Sequence, residues 1–179
     1  MAIALATLTL EVTLAEEPKE EPPQFEPAAH PDGGGGSEIG DPDELAGDIY
    51  QSSTQCNYAS HGDDPHLSSS NDAVSAHGWW TVSGITWGCP EYADVEVQLQ
   101  VWLCNVYNPN DCYWKTLNKS ESRIRPGGGA GRRTTARILC STSSEIGYRS
   151  IIDVDLVGQS DPDDNVYKSA NVRCRPLAW

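Results

Sequence analysis

From about residue 73 to residue 174 the chain alternates apolar and polar positions with a period of two. The clearest run is 94–104, DVEVQLQVWLC. It sets Val95, Val97, Leu99, Val101 and Leu103 on one face and Glu96, Gln98, Gln100 and Trp102 on the other. Successive strand side chains point to opposite faces, so this pattern predicts a half-buried strand. Residues 112–118 follow across the turn-rich stretch 105–111 (NVYNPND) and predict its hairpin partner. In 132–140, Thr134, Ala136, Ile138 and Cys140 fall together. In 147–158, Tyr148, Ser150, Ile152, Val154 and Leu156 point inward, with Arg149, Ile151, Asp153, Asp155 and Val157 outward. Residues 74–82 and 171–174 supply further short strands. No long stripe of period 3.6 is present, and 41–49 offers a short helical turn at most. Six to eight short strands between Gly, Pro and Asn turns predict an all-β fold over 51–179, an antiparallel Ig-like β-sandwich.

The pattern is absent from the first 50 residues, and there the charge changes the picture. The chain of 179 residues has a formal net charge of −14. Residues 1–50 hold 12 Asp and Glu against one Lys (Lys19), a net −11; residues 51–179 hold 14 acidic and 11 basic side chains, a net −3. Residues 16–50 combine this charge with prolines at 18, 22, 23, 27, 31 and 42 and a Gly33–Gly36 spacer. Low hydrophobicity with high net charge does not offset the chain entropy lost on folding, so 16–50 is expected to be a disordered acidic arm, either a solvated leader or pro-segment without a specific role or an arm that orders on a basic partner surface. Residues 1–15 open with an apolar run (MAIALATLTL) and end in a small residue, as a truncated signal peptide would. An acidic chain is poorly suited to nucleic acid, and no apolar run approaches the ~20 residues that span a bilayer.

All six cysteines, at 56, 89, 104, 112, 140 and 174, lie in the C-terminal part, and none forms Cys-x-x-Cys. With an export signal, three disulfides are expected, and hence a secreted protein. Cys104 and Cys112 flank the hairpin turn and are expected to pair. Cys56 with Cys174 would tie the domain ends together, leaving Cys89 with Cys140.

Motifs for chemistry are sparse. The PGGGAG run at 126–131, beside Arg123, Arg125, Arg132 and Arg133, resembles an anion nest, but it has no Lys-Ser/Thr and no following helix; a mobile hairpin loop with a basic rim is expected. Residues 161–165 (DPDDN) gather three carboxylates without the calcium-loop spacing, and turn chemistry explains them. In HGDDPH, His61 and His66 bracket Asp63 and Asp64; zinc would accept these residue types, but the spacing suits a surface loop. His77, in a strand, reads as packed. Asp153 and Asp155 share a strand face with Arg149 and read as an ion network rather than an acid/base pair. No G-x-S-x-G turn is present, so no catalytic, metal or cofactor residue is assigned.

The aromatics carry the binding expectation. Trp79 and Trp80 are adjacent, so one faces the core and the other lies outside it or under a loop. Trp102 lies on the polar face of its strand, and Trp114 neighbours it across the hairpin. The candidate binding residues are therefore Trp79, Trp80, Trp102, Trp114, Arg123, Arg125, Arg132 and Arg133, with Tyr113, Trp87 and Trp179 as further aromatics.

The series Ala76-His77-Gly78-Trp79-Trp80, Cys89, the strand ending Val101-Trp102-x-Cys104, Cys112-x-Trp114, the run from Gly127 through Arg137 to Cys140, and Gly147-Tyr148-Arg149 through Asp155 covers about 72–175. It resembles small secreted proteins of Streptomyces and related actinobacteria, including the adaptor subunits of secreted umbrella toxin particles. That resemblance implies a non-enzymatic Ig-like sandwich joining a lectin-like subunit to a larger scaffold chain. The acidic arm and the position of Cys56 depart from the family pattern. The expectation is thus a secreted, non-enzymatic protein-binding adaptor, acting through its arm and one aromatic or basic face. The alternative is a carbohydrate-binding module or a small secreted hydrolase.

Overall fold

A computed structural model of the chain describes residues 23–31, 49–52, 56–84, 88–160 and 165–179. Among them are nine strands and no helix: β1 (Phe25–Pro27), β2 (Ile49–Ser52), β3 (Asn57–Gly62), β4 (His66–Leu67), β5 (Ala73–Val82), β6 (Ala93–Asn105), β7 (Asn108–Ile124), β8 (Thr134–Leu156) and β9 (Val166–Pro176). The expected export signal, the helical turn before Ile49, Trp87 and the acidic turn at 161–164 lie outside the described residues.

Every strand pairing is antiparallel. One sheet runs β2-β3-β5-β8, with β4 beside β5; the other runs β7-β6-β8-β9. The strands 132–140 and 147–158, read as separate from the sequence, are one strand. Its first part (134–139) pairs with β5, and its second (148–156) pairs with β6. Between them the exposed run 141–145 (STSSE) carries two register shifts against β9. The polar run breaks the alternation in sequence, and the irregular pairing lets the same strand pass from one sheet to the other.

The inward faces meet in one core. Val95, Val97, Leu99, Val101 and Leu103 of β6 pack with Tyr148, Ile152, Val154 and Leu156 of β8, and with Trp80, Val74 and Tyr58 of the opposite sheet. The two-layer, antiparallel, all-β reading therefore holds. Trp80 Nε1 donates to the carbonyl of Ile124 at 3.1 Å, and Tyr148 Oη donates to the carbonyl of Cys174 at 2.8 Å, so the large buried polar rings are satisfied.

Cys104–Cys112 closes the β6–β7 hairpin as expected, between residues directly opposite in register. The other two expected pairings are replaced. Cys56 bonds Cys89 and Cys140 bonds Cys174. The reason is topological: β9 returns antiparallel along β8, with Pro176 opposite Cys140, which brings Cys174 within a Cα separation of 5.1 Å. No disulfide therefore joins Cys56 to Cys174. Three disulfides in a chain of this size indicate an oxidising compartment.

The described parts of the acidic arm are docked rather than free: Ile49 and Tyr50 at its end belong to β2, paired with β3, and 23–31 lies against the other sheet. As β8 leaves β6 beyond Val101, it vacates the β6 edge, and β1 takes that place, with Phe25 opposite Asn105 and Pro27 opposite Leu103. Ala28 bridges the parting strands: its N–H donates to Trp102 O at 3.0 Å and its C=O accepts from Gly147 N at 2.8 Å. A Cβ on Gly147 would lie 2.7 Å from His30 Cβ and 2.8 Å from His30 N, so this seat exists only for glycine. Composition places these residues in a disordered class; unpaired β6 backbone groups supply the partners that override it.

Candidate functional site

The alternation that buries Val101 and Leu103 turns Gln100 and Trp102 to the opposite face of the β7-β6-β8-β9 sheet. Register sets Trp114 opposite Trp102 and Thr116 opposite Gln100 on one side, and Arg149 opposite Gln100 on the other. The two indoles lie 4.9 Å apart, tilted by 55°. The Arg149 guanidinium sits 4.8 Å over the Trp114 ring and 5.6 Å from that of Tyr167. Its Nε and Nη2 donate to Gln100 Oε1 at 3.0 and 2.8 Å, and Gln100 Nε2 donates to Thr116 Oγ1 at 3.1 Å. The amide thus fixes the guanidinium against the ring, an arrangement in which a cation–π contact is worth about 0.5–2 kcal/mol. His30 closes one end of the cluster. Its ring stacks on Trp114 at 5.1 Å and meets Trp102 edge-on at 4.8 Å. Asn171 holds it there, accepting from His30 N and donating to His30 O, both at 2.9 Å.

Beside this cluster runs an open backbone edge. In an antiparallel pair the N–H and C=O of one residue point to the same side and alternate along the strand. Trp102 O accepts from Ala28 on the β1 side, so Trp102, with Gln100 and Cys104 in the same unbroken register, turns its peptide groups away from β7. The facing residues Cys112, Trp114 and Thr116 therefore turn theirs away from β6. No strand among the described residues pairs with that outer edge of β7.

The candidate binding residues divide. Trp102 and Trp114 come together as expected. Trp80 is fully buried in the core and offers no surface, so it leaves the candidate set. Trp79 is half-buried: its ring stacks on His61 at 5.7 Å and lies under the glycine loop, where a Cβ on Gly128 would come within 2.8 Å of Trp79 Nε1. That loop is not a hairpin; it carries the chain from β7 in one sheet to β8 in the other, and Gly127 N donates to Trp80 O at 2.7 Å. Arg123 is engaged with Asp94 in a two-bond pair at 2.8 and 2.7 Å, and Arg125 with Glu91 and Tyr92. The Arg123 hydrogen bond holds the Asp94 carboxyl below its usual range. Arg132 donates to Pro126 O at 3.1 Å. Arg133 is exposed and has no ion-pair partner among the described residues. Two of the four arginines of the basic rim, Arg123 and Arg125, are thus neutralised by ion pairs within the domain.

Arg149, Tyr167 and His30 were missed as members of the aromatic cluster. Alternation already put Arg149 on the outer face, a signal that was present but read as an ion network. His30 carries no local signal, because its place depends on β1 docking. His61 turns away from the HGDDPH cluster, its Nε2 2.7 Å from Thr81 Oγ1. No helix among the described residues is long and apolar enough to cross a membrane. No protein-family model, curated protein or solved structure matches the chain.

Proposed function

We infer that the protein is an exported, non-enzymatic binding module that receives a protein partner on the outer edge of β7 and the adjoining Trp114–Arg149 face. The observation that carries this reading is the edge itself. β7 is 17 residues long and, among the described residues, bonded on one side only, which offers main-chain partners to an added strand. Exposed edges invite indiscriminate pairing, and β7 is guarded against it by Pro109 and the charges of Lys115 and Glu121, while Lys119 and Arg123 are paired with Glu96 and Asp94 of β6. Those charges, with the aromatic cluster alongside, select among partners.

The acidic segments on either side of the docked β1 give the module a second means of contact. Residues 32–48 hold six Asp and Glu and no Lys or Arg, a composition complementary to a basic protein surface. A module with an edge and an acidic extension matches the adaptor role that the resemblance to umbrella-toxin adaptor subunits implies, linking two other chains. A carbohydrate-binding reading has Trp114 and Tyr167 in its favour. The tilt between the indoles and the His30 ring lying on them count against a flat sugar platform.

Affinity capture from the culture supernatant of the producing organism tests the reading. The tagged wild type is expected to retain a discrete secreted protein. Thr116→Pro removes an outward N–H while leaving the β6 pairing in place, and is expected to lose that partner; Thr116→Val, which loses only the hydroxyl, is expected to keep it. Equal capture by wild type and Thr116→Pro, or capture of glycans alone, would contradict it.

A further inference from the structure

The β3–β4–β5 region of the other sheet gathers three metal-ligand side chains that no single stretch of sequence puts together. Gly62 lies opposite Gly78, and the chain continues so that Asp63 faces His77. Asp63 N donates to His77 O at 3.2 Å, and His77 N donates to Asp63 Oδ1 at 2.6 Å, which pins the loop to the strand from both directions. His66 lies opposite Ser75, two residues from His77, so the two imidazoles share a face as diagonal neighbours. They stack at 5.3 Å with 29° between their planes. Asp63 Oδ2 is 2.6 Å from His77 Nδ1 and 4.0 Å from His66 Nδ1. One ligand atom from each of Asp63, His66 and His77 lies within 4.8 Å of the others.

We propose that Asp63, His66 and His77 form a binding site for a zinc ion, with a remaining coordination position open to solvent or to a donor from a partner. Two imidazoles and one carboxylate are the donor types of open zinc sites, whereas calcium requires six to eight oxygens. Zn–N and Zn–O bonds of about 2.0–2.1 Å at tetrahedral angles set ligand atoms about 3.4 Å apart. The longest separation closes by about 1.4 Å, within reach of side-chain rotation, while the Asp63–His77 separation opens slightly. The proton that His77 Nδ1 holds toward Asp63 is carried on Nε2 when Nδ1 takes the metal, so no further reactant is required. His77 and Asp63 are the fixed members, with side chains 12% and 30% exposed; His66, at 46%, is the outer member that completes the set. In the metal-free site His66 Nδ1 lies 2.8 Å from Asp64 O, a contact that is given up when this nitrogen takes the metal.

The test is calorimetric titration of the full-length, chelator-treated protein with ZnCl2. It is expected to show one ion per chain and a melting midpoint that rises with zinc but not with the same concentration of magnesium. His66→Ala removes the most exposed ligand and is expected to leave the metal-free melting midpoint unchanged while weakening zinc binding more than about tenfold. Asp63→Asn, which keeps the shape and loses the charge, is expected to weaken it as well. Absence of zinc binding in the wild type, or zinc binding undiminished in His66→Ala, overturns the assignment.

Discussion

Gly147 decides whether the N-terminal segment has a seat. Its missing Cβ is replaced by the His30 backbone and Cβ, which are not free to move, because Asn171 bonds both the N–H and the C=O of His30. Gly147→Ala is expected to destabilise the protein by about 1–3 kcal/mol in urea unfolding, as overpacking does, and to make residues 23–31 accessible to protease. Tyr148 works differently. Burial raises its hydroxyl well above the ordinary range, so the neutral form belongs to the fold. The stability it confers is present below the ordinary tyrosine pKa of about 10 and is lost as pH rises beyond it. Tyr148→Phe is expected to cost about 1 kcal/mol at neutral pH, through the bond lost at Cys174 O, and to remove part of the decline above pH 10. At this scale the sequence was informative where one face of a strand was at stake. All five apolar residues of 95–103 are buried, and so are all five inward residues of 148–156. It was silent where a side chain answers to a distant segment, as Trp102 does to His30.

Among the elements, β6 organises the molecule. It is bonded to β7 along its whole length and to β8 and then β1 in succession along its other edge. Its strict alternation made it legible. β8 was legible only as two pieces, because nothing local distinguishes a polar loop from a polar stretch where a strand changes sheets. The same limitation misassigned the disulfides: pairing by proximity to a turn identified Cys104–Cys112, but Cys140–Cys174 depends on β9 lying against β8. That bond closes a separation of 34 residues between two strands of one sheet. Replacing both cysteines by serine is expected to cost about 2–4 kcal/mol in chemical denaturation. The Cys104–Cys112 bond closes only 8 residues within a hairpin already held by strand pairing, and its replacement is expected to cost less.

For the whole molecule, the formal charge of −14 describes two parts in one chain: a β-sandwich near neutrality and an acidic extension. The extension is not wholly separate, since β1 within it fills the notch where the two sheets part. Docking of β1 also determines which surface stays available. It closes the β6 edge and, among the described residues, leaves β7, the longer one, open beside an aromatic cluster that a cation holds in place. The central claim is that a partner strand pairs there. Residue-resolved amide hydrogen exchange on the full-length protein, free and bound to its captured partner, tests it most directly. New protection is expected at the outward amides of Cys112, Trp114 and Thr116, alternating with unchanged protection at Tyr113 and Lys115, whose amides already face β6. A complex in which those three amides exchange as they do in the free protein would contradict the account.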